Sequence, residues 1–117
     1  MDFDSVRKYC LTKKGVTESF PFDEVSPVYK VMSKIFMIGS LDYPPSINLK
    51  CNPELAVELR ERYTGITPGY HMNKTHWNTI DLDSGIPPKK IFEWIDHSYE
   101  LVAAGLKKQE KQELEKL

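Results

Sequence analysis

Apolar residues recur with helical spacing in three parts of the chain. The stripe Phe3, Val6 and Cys10 begins just after an aspartate suited to cap a helix, and it predicts a first helix. The run Asn52-Pro53-Glu54 combines a cap, a proline suited to the first turn and an acidic residue, and it predicts a second helix that ends near residue 63. The third and longest helix is predicted after residue 88, from the stripe Phe92, Ile95, Tyr99, Val102 and Leu106.

Apolar and polar residues alternate in the segments between these helices. Ile47, Leu49 and Cys51 take turns with polar residues, which is the period of a strand with one face in the core. A turn at residues 33–34 joins two further strands into a hairpin with a basic tip. The predicted strands are 16–22, 28–32, 35–41, 47–51 and 77–82. Residues 66–76 give a mixed pattern, in which 70–73 are predicted to be extended.

Three helices and two groups of strands indicate one α+β domain. A chain of 117 residues can bury a core without a disulfide or a metal ion. We place the domain at residues 1–106, because no repeat or flexible linker divides them. A charged tail follows at residues 107–117, with four lysines and three glutamates, and it is predicted to be solvated helix or a frayed end.

The charge balance excludes wholesale coating of nucleic acid. The formal net charge is -1, and the 28% of charged residues are almost evenly split in sign. Cys10 and Cys51 are too far apart for a CxxC pair, and no further cysteine completes a zinc site. The first residues lack the pattern of a secretory signal, and the longest aliphatic stretch, 35–38, is too short to cross a bilayer. We therefore expect a cytoplasmic protein with no membrane association.

The densest run of polar and aromatic residues lies at positions 70–79. A metal site there is disfavoured, because His71 and His76 are five residues apart and point to opposite faces of an extended chain. A catalytic alternative takes Cys51 as a nucleophile and one of these imidazoles as its base. Nothing in the sequence brings those groups together, and no catalytic signature or phosphate-binding loop occurs. We predict no cofactor, no metal and no enzymatic activity.

A binding surface is the third possibility for this part of the chain. Between residues 60 and 77 there are three basic residues and one acidic residue. A local basic patch on a near-neutral protein is a way to contact phosphate groups. The plainer alternative is that these are ordinary solvated charges. The basic residues in question are Lys30, Lys34, Lys50, Arg60, Arg62 and Lys74.

The same run resembles the signature of the MmcQ/YjbR family. The stretch at 66–74 reads Ile-Thr-Pro-Gly-Tyr-His-Met-Asn-Lys, and His76-Trp77-Asn78-Thr79 follows it. Further matches extend along nearly the whole chain, at 9–11, 15–18, 20–22, 49–51, 53–55, 59–63 and 96–102. The tail after Leu106 lies outside the resemblance. The resemblance implies an antiparallel sheet with helices packed against it in two layers, in the order α-β(3-4)-α-β(2)-α.

The resemblance also implies a function, since members of this family are described as DNA-binding proteins with two protruding hairpins. That description is an analogy of fold. The resulting hypothesis is a monomeric DNA-binding protein, and its alternative is a protein-interaction or small-ligand-binding module. The residues assigned to nucleic-acid contact are Lys30, Lys34, Lys50, Arg60, Arg62, Tyr70, His71, Asn73, Lys74, His76 and Asn78.

Overall fold

A computed structural model describes residues 1–69 and 72–117 of the protein. The elements in chain order are α1 (Phe3–Leu11), β1 (Val16–Ser19), β2 (Val28–Val31), β3 (Lys34–Ser40), β4 (Ser46–Lys50), α2 (Pro53–Arg62), β5 (Ile66–Pro68), β6 (Trp77–Asp81), α3 (Pro88–Ala104) and α4 (Lys108–Glu115). All six strands form one antiparallel sheet in the order β1-β2-β3-β4-β6-β5. The predicted α+β class and the order of elements through α3 are confirmed.

The helices begin where the sequence places their caps. Asp2 accepts a hydrogen bond from the backbone N–H of Ser5 at 2.9 Å, and Asn52 accepts one from Glu54 at 3.0 Å. Each cap satisfies a backbone N–H that the first turn of a helix leaves without a partner. The two helices therefore start as predicted, one residue after each cap.

One predicted strand is shorter than expected, and one strand, β5, was not predicted. The first strand ends at Ser19 rather than at residue 22, and residues 20–27 form a loop that includes Pro21. The short strand β5 contains Pro68, which a sheet accepts here because β5 is an outer strand. The expectation of extended backbone at 70–73 is wrong for Met72, which lies in a bend, while residues 70 and 71 lie outside the described residues.

A bulge in β3 adapts the sheet to α3. Tyr29 pairs with Met37 and Lys30 with Ile35, so Phe36 is an extra residue with no partner on β2. Phe36 is fully buried, and its ring meets that of Tyr99 edge-on at 5.5 Å. The bulge thus turns two consecutive residues of β3 into the core.

The side chain of Ser98 locks α3 onto the middle of the sheet. Its hydroxyl donates to the carbonyl of Phe36 at 2.6 Å and accepts from the backbone N–H of Lys50 at 2.9 Å. One buried side chain therefore bridges β3 and β4 at the point where their ladder ends.

The sheet has two unlike faces, which follow from its register. One row across the strands contains Glu18, Tyr29, Met37, Leu49 and Asn78. Helices contact this row directly: α1 reaches Glu18 through Arg7, and α2 reaches Asn78 through the carbonyl of Ala56. We call this the helix face. The opposite face, which we call the open face, carries the row Ser19, Val28, Ile38, Asn48, Thr79 and Thr67.

The charged tail forms the helix α4 beside the hairpin turn of β2 and β3. The carboxylate of Glu110 accepts from the backbone N–H of Ser33 at 3.2 Å, and Leu114 packs against the core. The tail is helical as predicted, yet it is attached to the domain at these two points. No helix in the described residues is long and apolar enough to cross a membrane.

Candidate ligand-binding groove

A groove of about 790 Å³ lies over the open face of the sheet. Volumes of 300 to about 1,000 Å³ are typical of pockets that bind small organic molecules or parts of larger ligands. None of the four described helices contributes to its lining. The lining residues are Phe22, Asp23, Ser26, Ile38, Gly39, Ser40, Asp42, Ser46, Asn48, Met72 and Thr79.

The strand register builds the floor of the groove. Asn48 lies between Ile38 on one neighbouring strand and Thr79 on the other. The hydroxyl of Thr79 donates to Oδ1 of Asn48 at 2.5 Å, and Nδ2 of Asn48 donates to the carbonyl of Ile38 at 3.4 Å. These bonds hold the amide of Asn48 in one orientation at the centre of the floor.

The loop at residues 20–27 forms one wall. Its backbone is attached to β3, because the carbonyls of Val25 and Pro27 accept from Leu41 and Gly39, both at 2.8 Å. Within the loop, the carboxylate of Asp23 accepts from the backbone N–H of Val25 at 2.9 Å and from the hydroxyl of Ser26 at 3.2 Å. This local turn is typical of aspartate and fixes where its carboxylate stands.

The groove is acidic and its rim is apolar. Asp23 and Asp42 line it, no lysine or arginine of the described residues does, and neither carboxylate has an ion pair with a described residue. Large apolar side chains stand exposed in the adjoining loops: Phe22 is 68% exposed and Tyr43 is 84% exposed. The hydroxyl of Tyr43 donates to Asp83 at 2.7 Å, and this bond raises the pKa of Tyr43.

The basic residues assigned to nucleic-acid contact do not lie together. Lys30 on β2 and Lys50 on β4 project from the open face, both towards the end of the sheet that carries the hairpin turn. Arg60 lies near the end of α2, where its guanidinium donates to the carbonyl of Lys74 at 3.0 Å. These two residues therefore form a second group, next to the start of β6.

The other two predicted cations are already bonded within the protein. Nζ of Lys34 donates to the carbonyl of Gly105 at 2.8 Å, beyond the last turn of α3. Arg62 forms an exposed ion pair with Glu58 one helical turn earlier, at 2.9 Å. Arg62 thus has an acidic partner on its own helix, as ordinary solvated charges do.

The residues of the signature run have mixed placements. The side chain of Asn73 accepts from the backbone N–H of Thr75 at 2.9 Å, so it stabilises the turn before β6. His76 is exposed. Asn78 is only 2% exposed and its amide donates to the carbonyl of Ala56 at 3.2 Å. Its assignment to nucleic-acid contact is therefore wrong, because it faces α2 rather than solvent. Tyr70 and His71 lie outside the described residues.

Cys51 and His76, a thiol and an imidazole considered as a catalytic pair, are neighbours in the backbone. Their side chains do not form a reacting pair. The backbone N–H of Cys51 donates to the carbonyl of His76 at 2.7 Å. The thiol of Cys51 is buried, and this burial raises its pKa to about 11. A thiol with a raised pKa is a poor nucleophile at neutral pH. Among the described residues, no three side chains of histidine, cysteine, aspartate or glutamate are grouped to hold a metal ion.

No pattern along the chain predicted the groove. Its floor and walls come from three strands and three loops, and each contributes residues of ordinary type. The only local signal was the polar set of the strand 46–50, where the positions between the core residues are Ser46, Asn48 and Lys50.

The chain matches proteins of one family over most of its length. The family model YjbR matches residues 11–101. The chain is 34% identical to the uncharacterised protein YjbR of Escherichia coli K12 over 115 residues, which are 97% of each chain. It is also 34% identical to the uncharacterised protein YbdF of Escherichia coli O157:H7 over 109 residues, which are 92% of this chain and 89% of the relative.

Solved structures share the fold. The crystal structure of the Deinococcus radiodurans protein DR2400, with domain DUF419, has a TM-score of 0.88 and 37% identity, covering 96% of this chain and 86% of that one. A crystal structure of a Pseudomonas syringae protein has a TM-score of 0.77 and 28% identity, covering 86% of this chain and 98% of that one. The chain belongs to the YjbR family, and the resemblance seen in its sequence is confirmed.

Proposed function

We propose that this member of the YjbR family is a binding module, without catalysis, whose site is the groove on the open face of its sheet. The observation that carries the proposal is the groove itself, a volume of about 790 Å³ with apolar, hydroxyl, amide and carboxylate groups converging on it. In sites for organic ligands, apolar side chains supply contact area and polar groups fix the orientation of the ligand.

The packing of the floor supports this role. Ile38 and Asn48 are half-buried rather than fully exposed, and both line the groove, where a ligand can reach them. The amide of Asn48 is held by Thr79 and Ile38, so a ligand meets a pre-oriented donor. Pre-orientation lowers the entropy cost of binding.

The absence of catalysis is part of the proposal. Its support is the burial of the Cys51 thiol and the raised pKa that follows from it. The described residues of the groove include no histidine, the side chain that most often serves as a general base, and the carboxylate of Asp23 is engaged in a turn of its own loop.

The groove is tested with neutral probes, N-acetyl-leucine amide and N-acetyl-phenylalanine amide. We expect millimolar binding, as for ligands of this size, with backbone amide shifts at Ser26, Ser40 and Asn48 in ¹⁵N spectra. Ser46→Phe, which fills the groove from β4, should remove these shifts. Thr17→Phe is the matched control, since it places the same ring on the open face but outside the groove lining. If neither probe shifts any groove amide, the proposal fails.

DNA binding is the second candidate, supported by Lys30 and Lys50. Both project from the open face at the same end of the sheet, and neither has an ion pair with a described residue. If the two lysines contact phosphates, the affinity falls as the salt concentration rises. Each contact adds about one unit to the slope of log affinity against log salt concentration.

Fluorescence anisotropy of labelled duplex and single-stranded DNA tests this candidate at low and moderate salt. The double variant Lys30→Ala with Lys50→Ala should flatten the salt slope by about two units. The control is Lys89→Ala with Lys108→Ala, which removes the same charge from helices. If the protein binds neither form of DNA more tightly than high micromolar at low salt, DNA is eliminated as a ligand.

A further inference from the structure

The charge of the groove differs from that of the opposite end of the same face. Asp23 and Asp42 line the groove, and Asp81 stands beside it because it pairs with Ser46 across the ladder. The lysines of the open face lie at the other end, on β2 and β4. A ligand in the groove therefore meets a negative potential, which favours a cation and repels phosphate.

Apolar side chains accompany the carboxylates. Phe22, Ile38 and Met72 line the groove, and Phe20, Leu41 and Tyr43 are exposed large side chains in the loops beside it. Large exposed apolar residues grouped together mark sites that bind other molecules. Their spread beyond the groove indicates a ligand longer than the groove, with apolar groups of its own.

Hydrogen-bonding groups are distributed along the floor. Ser40 and Ser46 pair with each other across β3 and β4, and Asn48 follows one pleat further on the same face. Spaced hydroxyl and amide groups suit the repeating N–H and C=O groups of an extended backbone. A compact small molecule would use only a few of them.

We infer that the groove binds an extended segment of a partner protein that carries both basic and apolar side chains. The basic side chains lie against Asp23 and Asp42, and the apolar ones lie against Phe22, Ile38 and Met72. This inference rests on the proposed function, because it names the partner of the same groove. The charge complementarity of the two carboxylates selects this partner over an acidic peptide or a nucleic acid.

The experiment uses three labelled peptides on the full chain: Leu-Lys-Leu-Lys-Leu, its Gln analogue and its Glu analogue. Fluorescence polarisation should rank them basic, neutral and acidic, with the basic peptide at least about tenfold tighter than the acidic one. Higher salt should narrow the difference, because exposed charges are screened. Equal binding of all three peptides, or the reverse order, would overturn the inference.

Two carboxylate variants locate the charge effect. Asp42→Asn should weaken the basic peptide about threefold, and combining it with Asp23→Asn should weaken it about tenfold. The amide of Asn at position 23 keeps an oxygen to accept from Val25, so the turn survives. Asp4→Asn on α1 removes the same charge on the other side of the sheet and should leave the affinity unchanged. If all three variants lose the same affinity for the basic peptide, the charge effect is not local to the groove and the inference is contradicted.

Two further arms separate the inference from the proposed function. Capped lysine, N-acetyl-lysine amide, tests for a small amine ligand, and binding as tight as that of the basic peptide would overturn the peptide assignment. If the neutral probes shift the groove amides but no peptide shows a charge preference, the inference fails while the binding groove stands. If neither the probes nor the peptides respond to Ser46→Phe, both proposals fail.

Discussion

The two faces of the sheet are built from alternate residues of the same strands and have different physical roles. Leu49 on β4 is 2% exposed and packs in the core, whereas its neighbour Asn48 is half-buried and forms the floor of the groove. The helix face therefore contributes most of the folding free energy, because that energy comes from buried apolar area. Substitutions on the open face cost less folding free energy, which leaves this face available for binding.

The first way to test this contrast is Leu49→Ala on the helix face. Removing a buried leucine side chain should lower the free energy of unfolding by about 2–5 kcal/mol. Urea denaturation followed by circular dichroism measures the change. A loss below about 1 kcal/mol would mean that the helix face is not the main source of stability.

Ser98→Ala tests the lock between α3 and the sheet. The variant leaves the carbonyl of Phe36 and the N–H of Lys50 without their shared partner. Buried groups that lose a hydrogen bond cost about 1–3 kcal/mol, so the unfolding free energy should fall by that amount. Ser84→Ala is a control that removes an exposed serine hydroxyl, which donates to the carbonyl of Asp81 three residues earlier. A similar loss in both variants would contradict the locking role of Ser98.

Glu18→Gln tests an electrostatic part of the helix face. Burial works to raise the pKa of Glu18, but hydrogen bonds from Arg7 and Tyr29 outweigh it and hold the pKa below its ordinary value of 4.5. A carboxyl group whose pKa is lower in the folded than in the unfolded protein adds stability at pH values above its unfolded pKa. This stability is lost as the pH falls through the folded pKa. At pH 7 the variant should be less stable by about 1 kcal/mol, since it loses a charge-assisted bond.

The pH dependence makes the Glu18 prediction specific. Thermal unfolding of the two proteins between pH 7 and pH 3 should show the difference shrinking in the acidic part of the range. A difference that stays constant with pH would show that the carboxylate charge contributes nothing.

Asn48→Ala on the open face should have the smallest effect on stability. It removes the bonds to Thr79 and Ile38 at a half-buried site, so the unfolding free energy should fall by less than about 1 kcal/mol. The same variant should weaken binding of the neutral probes in the groove. A stability loss as large as that of Leu49→Ala would remove the distinction between the two faces.

The sequence predicted the elements whose signals are local. The caps Asp2 and Asn52 placed two helices correctly, and the alternation at 47–51 identified both the strand β4 and its buried side. These signals depend on neighbouring residues, so a single sequence contains them. The order of elements was implied by the resemblance to the family, which extends along nearly the whole chain.

The site could not be predicted in the same way, because it depends on register between distant strands. Asn78 has the residue type of a contact residue, yet it shares the buried face of β6 with Ile80 and packs against α2, as the alternation of the strand indicates. Lys34 and Arg62 were grouped with Lys50 by charge alone, and the fold gives each of them a partner of its own. The groove residues carried no shared local pattern at all.

The most direct test of binding at the open face is a titration of the ¹⁵N-labelled chain with the Leu-Lys-Leu-Lys-Leu peptide. The largest amide shifts should fall on residues of the groove, among them Ser26, Ser40, Ser46 and Asn48, and Ser46→Phe should remove them. Shifts confined to the helices α1–α3 or to the end of the sheet with Lys30 and Lys50 would contradict the account, as would no shifts at all.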